Sequence, residues 1–422
     1  MTLAATFLGG AKNRLLPASI PFRFFAAAAG FHVLAWLVLL FGAGELARFI
    51  GGPGLLLVSL HLLTLGVLVM TAMGASFQLL PVATRQPLLR KWPAKLCFWL
   101  FMPGTLLLAW GMVEASATPL YLGGTGVGGG LLVFALLMAD NLRRARSAMP
   151  IVTAHGWGAL AALLGFSVLG LSLILDFDKG FLVDRQSIAT AHMVLAAVGF
   201  MGLLVFGFSQ VLIPMFVLSR TLPVRLGWFE LILALVAVVL AGIGAMIQND
   251  AVTIAAILVG LAASSAYLWL MRSAFQTSMR KRLGLSFVVI RASWGLLILA
   301  LLTVLGVMLG VPVPNGMTLF VFLLLVGWLL TFLTGILQRI MPFLASMHVV
   351  GKGGRPPLLS ELTAERPLMV HAVFHFSAIA VISAGIVLEA PMIIKLGATL
   401  GFVGAVAFAV FVGFVVVRLK ET

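Results

Sequence analysis

Cysteine and charge are scarce in this sequence. Cys97 is the only cysteine, and charged residues make up 9% of the 422 residues. One cysteine excludes a disulfide within the chain, a Cys-x-x-Cys redox motif and covalent attachment of c-type haem. With 62% hydrophobic residues, a soluble protein of this length would not have enough interior to bury its apolar surface. The composition therefore excludes a soluble fold.

Long apolar runs recur along the whole chain. Each has about 20 residues or more, enough to cross a hydrocarbon core of about 30 Å as an α-helix. The alternating segments of roughly ten residues that are typical of barrel strands do not occur. We predict an all-α polytopic membrane protein with about twelve transmembrane helices in a single membrane domain, 1–422. The predicted spans are 22–47, 55–82, 95–114, 118–140, 151–175, 188–216, 226–248, 251–271, 286–310, 317–344, 368–388 and 392–417.

The loops between these spans alternate in charge. The net charge is 27 − 12 = +15, and the basic residues fall in every second loop. They are Lys12, Arg14, Arg23, Arg85, Arg90, Lys91, Lys95, Arg143, Arg144, Arg146, Arg220, Arg225, Arg272, Arg280, Lys281, Arg282, Lys352, Arg355 and Arg366. The positive-inside rule places these loops in the cytoplasm, with both termini, and we expect a bacterial inner membrane. The charge therefore predicts a lipid bilayer as the partner and no nucleic acid.

Three predicted spans end in one shared pattern. It comprises Gly74, Gln78 and Pro81 in the second span, Gly207, Gln210 and Pro214 in the sixth, and Gly335, Gln338 and Pro342 in the tenth. Because these spans lie four helices apart, we predict three pseudo-repeats of four helices, at about 20–146, 150–282 and 285–420. The alternative is coincidence, since Gly and Pro are common in membrane helices. The three glutamines are expected to form hydrogen bonds.

Histidines within the spans are candidate cofactor ligands, because ionisable residues inside a membrane mark functional sites. His61 and His192 begin the second and sixth spans, at equivalent repeat positions and similar depths. Two neutral imidazoles of this kind can ligate a haem iron. The alternative is two helix-end histidines bonded to backbone or water. His32 is expected to pack in the core or face a haem edge, and His155 to be interfacial.

Two further histidines, His371 and His375, are four residues apart on one face of the eleventh predicted span. This spacing can bind a metal ion such as copper, and His348 in the preceding loop would supply a third ligand. An isolated pair at this spacing is more often structural. The set is therefore a candidate metal site with a structural alternative.

Three stretches resemble helices of the haem-copper oxidase subunit I superfamily. HLLTLGVLVMTAMGASFQLLPV (61–82), AHMVLAAVGFMGLLVFGFSQVLIPMF (191–216) and GWLLTFLTGILQRIMPFLASMH (327–348) are similar to its second, sixth and tenth helices. PFRFF (21–25) resembles the opening of NnrS-type proteins, membrane haem proteins associated with nitric oxide stress. The resemblance implies a subunit I-like fold with twelve helices in three quasi-equivalent groups of four.

This resemblance implies that His61 is a low-spin haem ligand. The superfamily's copper ligands do not carry over, because His192 is followed by Met193 and Val194 instead of Pro-Glu, and the predicted span 226–248 contains no histidine. Glu230 is the only carboxylate within predicted spans five to eight, so a proton channel is not expected either. The resemblance thus implies haem b without a complete haem-copper centre, and no oxygen reduction coupled to proton pumping.

Three functions fit these observations. The first is a b-type haem membrane protein that transfers electrons or binds nitric oxide or a related diatomic gas. The second is a transporter for a metal, haem or a small solute, although few polar groups line a path through the spans. The third is a membrane anchor subunit of a respiratory complex, with haem or cytochrome subunits as partners. An optical spectrum of the purified protein would separate the first from the others.

Overall fold

A computed structural model of the chain describes residues 15–145, 149–280, 282–351 and 358–421. Within these ranges there is no strand, and twelve helices are long and apolar enough to cross a membrane. They are α1 (Pro21–Arg48), α2 (Leu55–Ala83), α3 (Trp92–Glu114), α4 (Ala117–Arg144), α5 (Pro150–Lys179), α6 (Arg185–Val217), α7 (Val224–Ile247), α8 (Asp250–Gln276), α9 (Leu285–Met308), α10 (Gly316–His348), α11 (Glu365–Val387) and α12 (Pro391–Glu421). The predicted all-α polytopic architecture with about twelve spans is confirmed.

Several helices extend beyond the predicted spans. α5 continues to Lys179 and α11 begins at Glu365. Hydropathy records only the apolar part of a helix, whereas backbone hydrogen bonding continues into polar flanking turns. Six basic residues of the predicted cytoplasmic loops lie outside the described residues: Lys12, Arg14, Arg146, Lys281, Lys352 and Arg355.

Large apolar side chains cover the outer faces of the helices. Trp99, Trp110, Phe229 and Trp269 are each between 56% and 68% exposed. Exposure of this kind along helix after helix is unfavourable in water and is normal for surfaces that contact lipid. The helices therefore support contact with a lipid bilayer.

Close packing of α3 against α4 depends on two glycines. A Cβ at Gly104 would lie 2.7 Å from the backbone nitrogen of Val127, and one at Gly126 would lie 2.9 Å from the Cα of Gly104. Any larger residue would push the two backbones apart. Small residues at such crossings allow membrane helices to gain van der Waals contact, which replaces the hydrophobic driving force that lipid does not provide.

Three helices contain a π-helical segment, with i→i+5 backbone bonds, at matching positions. The segments are Leu62–Val69 in α2, Val194–Gly202 in α6 and Leu323–Leu330 in α10. Each ends five residues before the glycine of the shared pattern, at Gly74, Gly207 and Gly335 respectively. π-Helical turns are rare and occur mostly at functional sites. These are the same three helices from which the repeat was predicted.

The glutamines of the shared pattern differ in their partners. Gln78 Oε1 accepts a hydrogen bond from the Leu16 amide at 3.2 Å, and Gln210 Nε2 donates to Glu230 Oε2 at 2.8 Å. The expected hydrogen bonds are therefore present for these two. The Nε2 atoms of Gln78 and Gln338 are buried and have no partner among the described residues.

By its internal contacts the chain divides into two compact units. The first comprises Ala75–Gly104 and Leu120–Leu283, together with residues up to Leu16. The second comprises Pro17–Gly74, Thr105–Pro119 and the chain from Gly284 onward. These boundaries differ from those of the three predicted repeats. The single membrane domain and the three pseudo-repeats of four helices stay predictions from the sequence.

Candidate functional site

Three buried histidines of the second unit lie together, and we call them the histidine cluster: His32 on α1 with His371 and His375 on α11. Each is 1% exposed. The ring centroids of His32 and His371 are 6.0 Å apart, and those of His371 and His375 are 5.2 Å apart. His32 lies 32 − 21 = 11 residues into α1, and His375 lies 375 − 365 = 10 residues into α11. At about 1.5 Å per residue, both lie roughly 15–17 Å along their helices, about half the thickness of a hydrocarbon core.

The proton of His32 is placed by Trp36, one turn further along α1. Trp36 Nε1 donates to His32 Nε2 at 3.0 Å. Because the indole N–H can only donate, Nε2 carries the lone pair, and the proton of the neutral ring is on Nδ1. This Nδ1 is buried and has no hydrogen-bond partner in the described part of the chain. A buried donor of this kind is costly unless another group or a ligand satisfies it.

His371 has the same tautomer as His32, although a different group fixes it. Its Nδ1 lies 3.0 Å from the carbonyl oxygen of Gly404 on α12. A carbonyl only accepts, so Nδ1 is protonated and Nε2 carries the lone pair of the neutral ring. Within the described ranges this buried Nε2 has no partner. An imidazole fixed to a backbone carbonyl through one nitrogen, with the other nitrogen open, is the usual arrangement of a metal-ligating histidine.

His375 is held by the π-helical segment of α10. Its Nε2 lies 2.7 Å from Thr331 Oγ1, and the Thr331 hydroxyl donates to the Val326 carbonyl at 2.9 Å. The hydroxyl has one proton, so His375 Nε2 donates to Thr331. Thr331 immediately follows the π-helical segment and bonds five residues back. The irregular backbone of α10 thus provides the acceptor that orients His375.

The two predicted axial ligands, His61 and His192, have the same tautomer as His371. His61 Nδ1 lies 2.9 Å from the Leu57 carbonyl oxygen, and His192 Nδ1 lies 2.8 Å from that of Phe166. Both Nδ1 atoms are therefore donors, and the lone pair of each neutral ring is on Nε2. His61 belongs to the second unit and His192 to the first. His61 immediately precedes the π-helical segment that begins at Leu62, and His192 lies two residues before the one that begins at Val194.

The predicted metal ligands are only partly brought together. His371 and His375 stack, as their spacing predicts, and His32 joins them. His348 was predicted in a loop, but α10 continues through it; the ring is half-buried, with its Nδ1 2.7 Å from the Leu344 carbonyl. Among the described residues, no group of three or more His, Cys, Asp or Glu side chains is arranged to hold a metal ion. The metal site of His348, His371 and His375 stays a prediction.

Sequence reasoning did not find Trp36, Thr331 and Gly404, which orient the three histidines of the cluster. Trp36 carried a detectable signal, because it lies four residues from His32 and therefore on the same helical face. Thr331 and Gly404 lie on other helices, and no pattern within the sequence connects them to His375 and His371.

Comparison with models of protein families and with curated proteins finds no match to this chain. The similarity to the haem-copper oxidase subunit I superfamily therefore rests on the stretches 61–82, 191–216 and 327–348, and on the opening 21–25. It stays a prediction, as do the cofactors that it implies. The function of the chain must therefore be inferred from the geometry of its histidines.

Proposed function

We propose that the protein is an integral membrane protein that binds b-type haem through histidines within its helices, for electron transfer or for binding nitric oxide or a related diatomic gas. The observation that carries this proposal is the buried Nε2 of His371, which has no partner in the described part of the chain. Its ring is oriented by the bond from Nδ1 to the Gly404 carbonyl. An axial ligand needs both features: a fixed ring and an available lone pair.

The donor set fits haem better than a bare metal ion. A structural or catalytic metal ion takes three or four ligands from the protein, whereas the porphyrin supplies most ligands of a haem iron. Among the described residues no group of three potential ligands is arranged for a metal ion. A haem iron needs only one or two axial ligands from the protein, and single histidines whose Nδ1 is bonded to a backbone carbonyl, such as His61, His192 and His371, fit that requirement.

The surroundings of the cluster would serve an apolar macrocycle. Phe408 packs against both His32 and His371, with ring centroids 6.0 and 4.9 Å away. Such walls exclude water, and the polarity around a haem controls its potential and its access to ligands. Bound haem would supply an iron that accepts and releases one electron or binds a diatomic ligand. The absent copper ligands leave oxygen reduction outside this proposal.

The test is an optical spectrum of the protein purified in detergent and supplied with haemin, combined with haem and copper analysis. We expect a Soret band and the α band of reduced b-type haem. His61→Ala, His192→Ala and His371→Ala are then compared singly. At least one should weaken haem binding more than about tenfold or convert low-spin to high-spin iron, since even the partners of a ligand contribute about 10–100-fold.

His348→Ala is the matched control, because His348 makes the same type of bond from Nδ1 to a carbonyl but lies near the end of α10. It should leave the spectrum unchanged. A protein that takes up no haemin, or one that binds copper alone, would overturn the proposal. Unchanged spectra in all three ligand variants would show that the haem is held by other residues.

A further inference from the structure

A second buried polar group lies in the first unit, where α5, α6 and α7 meet. His155 Nε2 lies 3.2 Å from Glu230 Oε2, and Gln210 Nε2 donates to the same oxygen at 2.8 Å. His155 is 1% exposed and Glu230 is fully buried. His155 lies near the beginning of α5, as predicted, and its ring is buried between helices. Its interfacial depth stays a prediction. We call these three residues the carboxylate triad.

Two glycines make room for the triad. A Cβ at Gly207 would lie 2.6 Å from the Cβ of His155, and one at Gly227 would lie 2.9 Å from Gln210 Oε1. The imidazole and the amide therefore occupy space that larger residues on α6 and α7 would fill. The arrangement is shaped to hold these polar side chains against one another.

The hydrogen bonds determine how many protons the triad contains. His155 Nδ1 lies 2.9 Å from the Ile151 carbonyl, so this nitrogen is protonated. The contact between Nε2 and Glu230 must then contain one further proton, on the imidazole or on the carboxyl group. Both placements are neutral overall, as an ion pair or as a neutral pair. One additional proton on the ion pair would convert the carboxylate to a carboxylic acid and raise the net charge of the triad to +1.

The other ionisable side chains of the helices packed around Glu230 are engaged elsewhere or exposed. On α8, the Tyr267 hydroxyl donates to Ser209 at 2.9 Å. His192 is bonded to Phe166, and Asp176 is paired with Arg185. The remaining ionisable residues of these helices and of α4 are half-buried or exposed: Tyr121, Asp140, Arg143, Arg144, Asp178, Lys179, Arg225, Asp250 and Arg272. Among the described residues of these helices, His155 is thus the ionisable group that faces Glu230.

Stability alone explains the triad poorly. Removing two charges from water costs about as much as their attraction returns, so a buried ion pair adds little net stability. Amide or hydroxyl side chains would join the three helices without that cost. Carboxylates within membrane helices are functional candidates by default, and exchange of a proton is the function that a carboxyl group can perform and an amide cannot.

Access to one aqueous face is short. His155 lies 155 − 150 = 5 residues into α5, and Glu230 lies 230 − 224 = 6 residues into α7. At about 1.5 Å per residue, both are roughly 8–9 Å from the beginnings of their helices. Only about two helical turns separate Glu230 from the beginning of α7.

We propose that His155, Glu230 and Gln210 form a proton-binding site within the membrane, which takes up a proton from the face where α5 and α7 begin. The proton adds to the Glu230 carboxylate while His155 stays protonated, and Gln210 continues to hydrogen-bond the carboxyl group. The proposal does not depend on haem binding.

Infrared difference spectroscopy of the lipid-reconstituted protein, recorded as the pH is lowered in H2O and in D2O, tests this site. In the wild type we expect a carboxylic-acid C=O band that grows on acidification and moves to lower frequency in D2O. Glu230→Gln should lose this band. Asp140→Asn is the matched control, since Asp140 is a carboxylate on α4 paired with Arg144 outside the triad, and it should keep the band.

Gln210→Leu provides an independent readout if Glu230→Gln does not fold. Loss of the donated hydrogen bond should move the band of protonated Glu230 to higher frequency, without removing it. The proposal is overturned if wild type and Glu230→Gln, or wild type and Gln210→Leu, give the same spectra across the pH range. In that case Glu230 keeps one protonation state and the triad only joins helices.

Discussion

Trp36 and His32 lie one turn apart on α1, and Thr331 meets His375 from α10, so two histidines of the cluster have a fixed side-chain partner. His371 is oriented by a backbone carbonyl instead. In low-dielectric surroundings each of these bonds is stronger than in water, and the loss of a partner leaves a buried polar atom unsatisfied. At the scale of single residues, the cluster therefore depends on neighbours that do not ionise.

Thr331→Val removes the acceptor of His375 while preserving shape. We expect it to lower the free energy of unfolding by about 1–3 kcal/mol, because His375 Nε2–H loses its partner. Denaturant unfolding in detergent micelles measures the change. Thr303→Val is the matched control: Thr303 bonds the Leu299 carbonyl on the exposed side of α9, and its replacement should cost no more than about 0.5 kcal/mol. Equal effects of the two variants would show that the bond to His375 does not contribute.

At the scale of elements, α1 and α12 approach closely next to the cluster. The Trp36 ring lies against the backbone of α12 at Gly401, where a Cβ would overlap the indole. Further along the same helix, a Cβ at Gly413 would have no atom within 4 Å. The Trp36 ring therefore fits in its place only because residue 401 has no side chain. Since Trp36 bonds His32 Nε2, the tautomer of His32 depends on Gly401 as well.

Gly401→Ala should displace the Trp36 ring and destabilise the protein by about 1–3 kcal/mol, the usual range for overpacking of a well-packed interior. Gly413→Ala adds the same methyl group to α12 where there is space, and we expect a change within about 0.5 kcal/mol. Thermal unfolding of both variants in one detergent measures the difference. A Gly401→Ala variant as stable as Gly413→Ala would contradict the tight contact.

The whole molecule consists of apolar helices whose orientation in the membrane is predicted from the loops between them. Basic residues favour the cytoplasmic side because of the positive-inside rule. The only cysteine is well suited to a test of this orientation, since Cys97 is buried with its Sγ 3.3 Å from the Gly130 carbonyl. It should not react with polar thiol reagents, so labelling of an introduced cysteine can be measured without a contribution from Cys97.

Two introduced cysteines test the orientation. Ser116→Cys is placed between α3 and α4, and Ala145→Cys is placed directly after α4. With both termini in the cytoplasm, an impermeant thiol reagent added to intact cells should label position 116. It should label position 145 only after permeabilisation. The unsubstituted chain is the control and should remain unlabelled in both conditions. The reverse pattern of labelling would invert the predicted topology.

The sequence by itself determined the twelve spans. Whether a segment such as Leu55–Ala83 crosses a membrane depends on its own length and apolarity, because its backbone bonds are satisfied within the helix and lipid is the surrounding solvent. The i, i+4 spacing of His371 and His375 likewise predicted that they share a helical face, since helical geometry is local.

Only the tertiary structure decided which side chains meet. His32 and His371 are 371 − 32 = 339 residues apart in the chain, and His155 meets Glu230 across two helices. Hydropathy gives every span the same apolar signal and does not record how each helix rotates about its axis. That rotation follows from packing at small residues and from π-helical segments that change the helical register. The partners of the buried histidines, and therefore their protonation, follow from that packing.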